Sequence, residues 1–152
     1  MPAPYVELPS EALKGFKPTW TYSSTLIWWQ FDDISFPEKG WADNPGVVLP
    51  WWAHQLILLI QGARTVELRF MEGPYALTLS PTTGDDVEVS ALEWEAPLSV
   101  ALPDLVHAVQ DAMRRVTPAF EAVPEFRAHA RSLRDLAEQL DRQLRYREQG
   151  SR

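Results

Sequence analysis

The chain predicts a single α+β domain, built from a mainly antiparallel sheet of about four strands, one helix crossing it, and a C-terminal two-helix hairpin. Three observations carry this expectation. Apolar residues alternate with period two in several segments between residues 20 and 96. From residue 97 onward the period moves to nearer four, and it does not switch back. The 152 residues, 17.3 kDa with 45% apolar and 23% charged side chains, suit one core and are not those of a disordered chain. The expected division is an extended lead-in over 1–19, the sheet with its helix over 20–96, and the helical hairpin over 97–149.

Prolines 2, 4, 9 and 18 keep the lead-in from forming a long helix and leave room for one turn near Ser10 to Lys14 at the periphery. Trp20 to Phe36 is rich in β-branched and aromatic residues and reads as the first strand, apolar on both faces at its middle. Residues 37–46, with their Pro, Gly, Asp and Asn, have the chemistry of an irregular loop. Pro50 then suits a first helical turn, and a helix over Trp51 to Gln61 ends at Gly62, with Trp52, Ala53, Leu56, Leu59 and Ile60 inward and His54 and Gln61 outward. Val66, Leu68 and Phe70 alternate inward, Gly73-Pro74 breaks the strand, Tyr75, Leu77 and Leu79 repeat the alternation, and Val87 to Trp94 completes a meander. From Leu98 a helix with Leu102, Leu105, Val106, Val109, Met113 and Val116 on one face runs to Thr117-Pro118. A last long helix places Phe126, Ala130, Leu133, Ala137, Leu140 and Leu144 inward, with Glu138–Arg142 and Asp141–Arg145 as expected surface pairs.

Composition excludes several classes of function. Without cysteine there is no disulfide framework, thiolate zinc site, iron–sulfur cluster or cysteine nucleophile. The first residues lack a basic stretch and an apolar run, and Leu56 to Ile60 is too short to cross a bilayer, so the expectation is a cytoplasmic protein without a membrane segment. Residues 1–100 hold 5 basic and 13 acidic side chains, net −8, whereas the remainder is net +1. An acidic front repels phosphate backbones and attracts basic partners, which argues against nucleic-acid binding.

Catalytic constellations are weak. His107 and His129 lie in helical patterns where a solvated surface histidine is expected, and there is no G-x-S-x-G elbow. His54 follows two tryptophans among apolar residues, so a small enzyme or ligand-binding domain with a Trp-lined pocket near His54 is the alternative reading. Asp32, Asp33, Glu38 and Asp43 lack the alternating spacing of a calcium loop, and neither phosphate-binding glycine motif occurs. No catalytic residue, metal or cofactor is expected.

Tryptophan is the anomaly: Trp20, Trp28, Trp29, Trp41, Trp51 and Trp52 fall within 33 residues, interleaved with those four carboxylates. Core packing accounts for some of them, but adjacent pairs point to different sides of any regular element. Exposed indoles ringed by carboxylates make a docking face, in which the aromatic rings anchor and the acids steer. The expected partner-binding residues are therefore Trp41, Asp32, Asp33, Glu38 and Asp43, with Trp28 and Trp51 in reserve.

The segments Phe36-Pro-Glu-Lys-Gly-Trp41-Ala-Asp43, Val47-Val-Leu-Pro-Trp-Trp52 and Glu67-Leu-Arg-Phe-Met-Glu-Gly-Pro-Tyr75 resemble small bacterial immunity proteins of polymorphic toxin systems. The resemblance spans residues 36–75 and implies a cytoplasmic α+β protein that binds and neutralises a cognate toxin domain, a basic one such as a nuclease suiting the acidic front. The expected function is thus non-catalytic protein binding by a monomer or weak homodimer. A subunit of a larger assembly joined through the C-terminal helices is a further alternative.

Overall fold

The computed structural model describes residues 2–150, in which strands form three antiparallel sheets rather than one. The order is β1 (Pro4–Glu7), α1 (Ser10–Lys14), β2 (Thr25–Leu26), β3 (Trp28–Phe31), β4 (Ile34–Phe36), β5 (Ala42–Asp43), α2 (Pro45–Ile60), β6 (Val66–Arg69), β7 (Ala76–Pro81), β8 (Asp86–Ser90), β9 (Leu98–Ala101), α3 (Leu102–Glu121), a 3-10 turn (Pro124–Phe126) and α4 (Arg127–Gly150). The sheets are β1-β3-β4, β2-β5 and β6-β7-β8-β9.

The lead-in is not peripheral. β1 pairs with β3, setting Val6 opposite Trp29, and Val6 and Leu8 are buried. The expected long first strand is broken twice. Thr19 to Ser23 closes on itself, the Ser23 hydroxyl accepting from Thr19 N at 2.8 Å and donating to Thr19 O at 2.6 Å, so this backbone has no need of a ladder. Asp32, at φ 54°, then makes the two-residue turn joining β3 to β4, a left-handed conformation that Asp adopts more readily than most side chains.

α2 begins five residues before Pro50, because Asn44 is an N-cap whose side chain accepts from Gly46 N at 3.0 Å and Pro45 occupies the first turn. Pro50 therefore lies inside the helix and has no N–H for the carbonyl of Gly46. His129 on α4 fills the gap, its Nε2 lying 2.9 Å from Gly46 O while its ring stacks on Phe120. The close crossing needs glycine, since a Cβ at residue 46 would meet Phe120 Cζ at 2.8 Å. α2 packs against β6 on one side and against α3 and α4 on the other, so most of its circumference is buried.

In the four-stranded sheet the expected alternation holds: Leu68 faces Leu77, Leu79 faces Val89 and Val87 faces Val100, all buried. β8 stops at Ser90, however, and Leu98–Ala101 is a strand rather than the start of a helix. α3 also runs through Pro118 to Glu121, where buried Phe120 packs against Phe16 and Phe126. The inward residues expected on α3 and α4 are buried. The surface pair Asp141–Arg145 does not form. Asp141 accepts from Gln110 Nε2 at 2.5 Å and pairs with Arg114 at 3.8 Å, which ties α4 to α3. The buried apolar side chains form one contiguous cluster that includes Val6, Phe31, Leu68, Val89 and the inner faces of α2, α3 and α4. Among the described residues, no helix is long and apolar enough to cross a membrane.

Candidate functional site

The expected docking residues do not form one surface. Trp28 is buried, its indole N–H donating to Gln30 Oε1 at 3.0 Å. Asp32 and Asp33 are exposed at the β3–β4 turn, whereas Glu38 is exposed beyond the other end of β4. A three-residue strand separates the two positions by about 10 Å. Asp43 is fully enclosed, with 0% of its surface exposed.

Asp43 and Trp41 instead form a clasp. Asp43 Oδ2 accepts from Trp41 Nε1, Met71 N and Glu72 N, each at 3.1 Å, and Oδ1 accepts from Asn44 N at 2.8 Å. Four donors satisfy a carboxylate in an enclosed setting, which removes it from partner binding and makes it the anchor of the turn between β6 and β7. The half-buried Trp41 ring crosses Tyr75 at 5.2 Å and Phe70 at 6.1 Å, edge to face. Gly73 lies beneath it, where a Cβ would meet Trp41 Cη2 at 3.0 Å. Carboxylate, indole and glycine together fix the backbone of residues 70–75.

What that turn presents is a surface the sequence reasoning missed. Met71 and Glu72 are exposed and line a shallow depression with Trp20, Tyr22 and Asn44. Trp20 is 78% exposed and Tyr22 72%. The Trp20 indole stacks on Phe126, with centroids 4.5 Å apart and the ring planes 30° from parallel. The hydroxyl bonds of Thr19 and Ser23 hold the loop that carries both aromatics. A signal was present in the sequence: Thr19, Thr21, Ser23 and Ser24 surround these rings, a context in which side chains cap their own backbone and aromatics are left outside a ladder.

Trp51 lies elsewhere, 44% exposed beside His54 on α2. These two residues, with Gln55, Thr65, Val66, Glu67 and Arg69, line an open groove of about 470 Å³ between α2 and β6. β6 is an edge strand, and α2 caps it: Gln55 Oε1 accepts from Glu67 N at 3.2 Å and Trp52 Nε1 donates to Arg69 O at 2.7 Å. Arg69 and Glu67 pair with each other at 2.7 Å across the groove wall. His54 has no hydrogen-bond partner among the described residues, although Thr65 and Glu67 line the groove with it. The groove offers the Trp51 ring for stacking and the Glu67–Arg69 pair for ionic contact. Among the described residues no three His, Asp or Glu side chains converge as metal ligands.

No protein-family model, curated protein or solved structure matches this chain.

Proposed function

We propose that this protein acts without catalysis, as a binding domain that docks one basic protein partner through the face made by Trp20, Tyr22, Met71 and Glu72. Neutralisation of a cognate toxin domain is the role that suits such a face, in line with the resemblance of residues 36–75 to immunity proteins. The observation that carries this reading is Trp20, a largely exposed indole already stacked on Phe126. Trp, Tyr and Met are enriched where proteins meet, and a pre-ordered ring loses little entropy on docking. Electrostatics point the same way: ten of the thirteen acidic side chains in residues 1–100 are exposed. An exposed acidic surface accelerates encounter with a basic partner.

The test is titration of the purified product of the adjacent reading frame into the protein, where that product is a basic toxin domain. Trp20→Ala with Tyr22→Ala should weaken binding about a hundredfold, since two central anchors together contribute several kcal/mol. Unchanged affinity in that double variant contradicts the reading.

One observation favours a second reading, a ligand-binding domain that uses the Trp51–His54 groove, whose 470 Å³ lies within the size range of small-molecule sites. A His54→Ala, Trp51→Ala variant separates the two, because only this second reading loses its biological effect there.

A further inference from the structure

Two surfaces outside the docking face complement each other. The first is a groove of about 860 Å³ between α1 and the end of α3. Leu13, Phe16 and Val123 form its apolar floor, and Lys14, Lys17 and Arg115 are its charged lining. No carboxylate lines it, although the chain as a whole is net −7. Arg115 donates from Nη2 to Leu8 O at 2.6 Å and is fixed in place, while Lys17 pairs with no acid among the described residues. Lys14 has only an exposed contact with Glu11 at 3.5 Å, too solvated to compete strongly.

The second surface is the tip of the connection from β8 to β9. Leu92 is 99% exposed and stands between Ala91 and Glu93 in a turn closed by Trp94 N donating to Ala91 O at 3.0 Å. The turn is anchored rather than loose: Ala91 is buried, and Trp94 packs edge-on to Phe31 and Phe36 at 5.8 and 5.7 Å. A leucine is thus held out to water with Glu93 and Glu95, both exposed, on either side of Trp94. The groove is an apolar floor with a cationic rim, and the turn is an apolar knob with an anionic rim.

We infer that the chain self-associates, the Leu92 turn of one copy seating in the α1–α3 groove of a second. Leu92 meets the floor formed by Leu13, Phe16 and Val123, and Glu93 and Glu95 meet Lys14, Lys17 and Arg115. A two-fold pair carries this contact twice and closes, whereas an unclosed arrangement would grow into filaments. The inference does not depend on the docking face, which involves neither surface.

Light-scattering mass of the full chain, from micromolar to near-millimolar concentration in low salt, tests it. The expected result is a mass that rises from 17.3 kDa toward twice that value and falls back in high salt. Leu92→Lys should weaken association about tenfold or more, and so should Lys14→Glu with Lys17→Glu. The quadruple variant that adds Glu93→Lys and Glu95→Lys to the two lysine reversals should recover it in part, because two of the three groove cations and both turn carboxylates are then reversed, Arg115 alone keeping its sign. All these positions are exposed, so unchanged circular dichroism is expected throughout. A wild-type mass fixed at 17.3 kDa overturns the inference, as does association that ignores Leu92 or a quadruple variant that stays monomeric.

Discussion

His129 carries a duty that no reading of its own helix reveals. Pro50 leaves Gly46 O without its helical donor, and His129, 83 residues further along the chain, supplies one. Removing the imidazole should therefore cost about 1 to 2 kcal/mol by orphaning a buried carbonyl. Pro50→Ala restores an N–H at that place, so it should recover more stability in the His129→Ala background than it adds to the wild type. Urea denaturation of the four proteins measures this coupling, expected to be about 1 kcal/mol. Gly46→Ala should cost about 1 to 3 kcal/mol by overpacking against Phe120. Two neighbouring tryptophans give a second contrast. Trp52 Nε1 donates to Arg69 O, whereas Trp29 Nε1 is buried without an acceptor. Trp52→Phe should thus destabilise by about 1 kcal/mol more than Trp29→Phe in the same denaturation assay. The sequence placed His129 on a solvated face because its partner is a backbone atom, and backbone acceptors freed by a distant proline leave no mark in a helix pattern.

At the level of elements, the clasp on the β6–β7 turn is the feature with the largest expected effect. Asp43→Ala strands four donors and should cost about 3 kcal/mol or more, read as a lowered denaturation midpoint with an unchanged slope. Trp41→Phe keeps the ring packing on Phe70 and Tyr75 but loses one bond to Asp43, so about 1 kcal/mol is expected. Alternation in β6 to β8 and the stripes of α3 and α4 were legible because burial on one face imposes a period. Three boundaries were not. Asn44-Pro45-Gly46 carries turn chemistry that an N-cap with proline in the first turn uses equally well. Leu98–Ala101 adjoins a helical stripe and merges with it by eye, although its pairing with β8 is what completes the sheet. Pro118 reads as a stop, yet Thr117 donates to Met113 O at 2.6 Å and buried Phe120 holds the next turn in place.

For the whole molecule, the acidic front and the crowding of tryptophans pointed to a docking surface, but they did not say which rings it would contain. Core demand settles that division. Trp29 and Trp52 fill the space where α2 meets the sheets, Trp28 is enclosed, and Trp41 is consumed by the clasp, which leaves Trp51 exposed on α2 and Trp20, the more exposed of the two, facing out with Tyr22. Asp32 and Asp33 lie at a remote turn, so in the proposed docking they would act through long-range field rather than contact. Asp32→Ala with Asp33→Ala should therefore slow association with a basic partner several-fold at low salt and leave its dissociation rate unchanged. The most direct measurement sets three immobilised proteins side by side against lysate of the source organism: wild type, Trp20→Ala/Tyr22→Ala, and Asp32→Ala/Asp33→Ala. One basic protein, retained in equimolar amount by the wild type and the aspartate variant and lost by the aromatic variant, is the expected result. Equal retention by the aromatic variant, or no retained partner at all, contradicts docking through Trp20 and Tyr22.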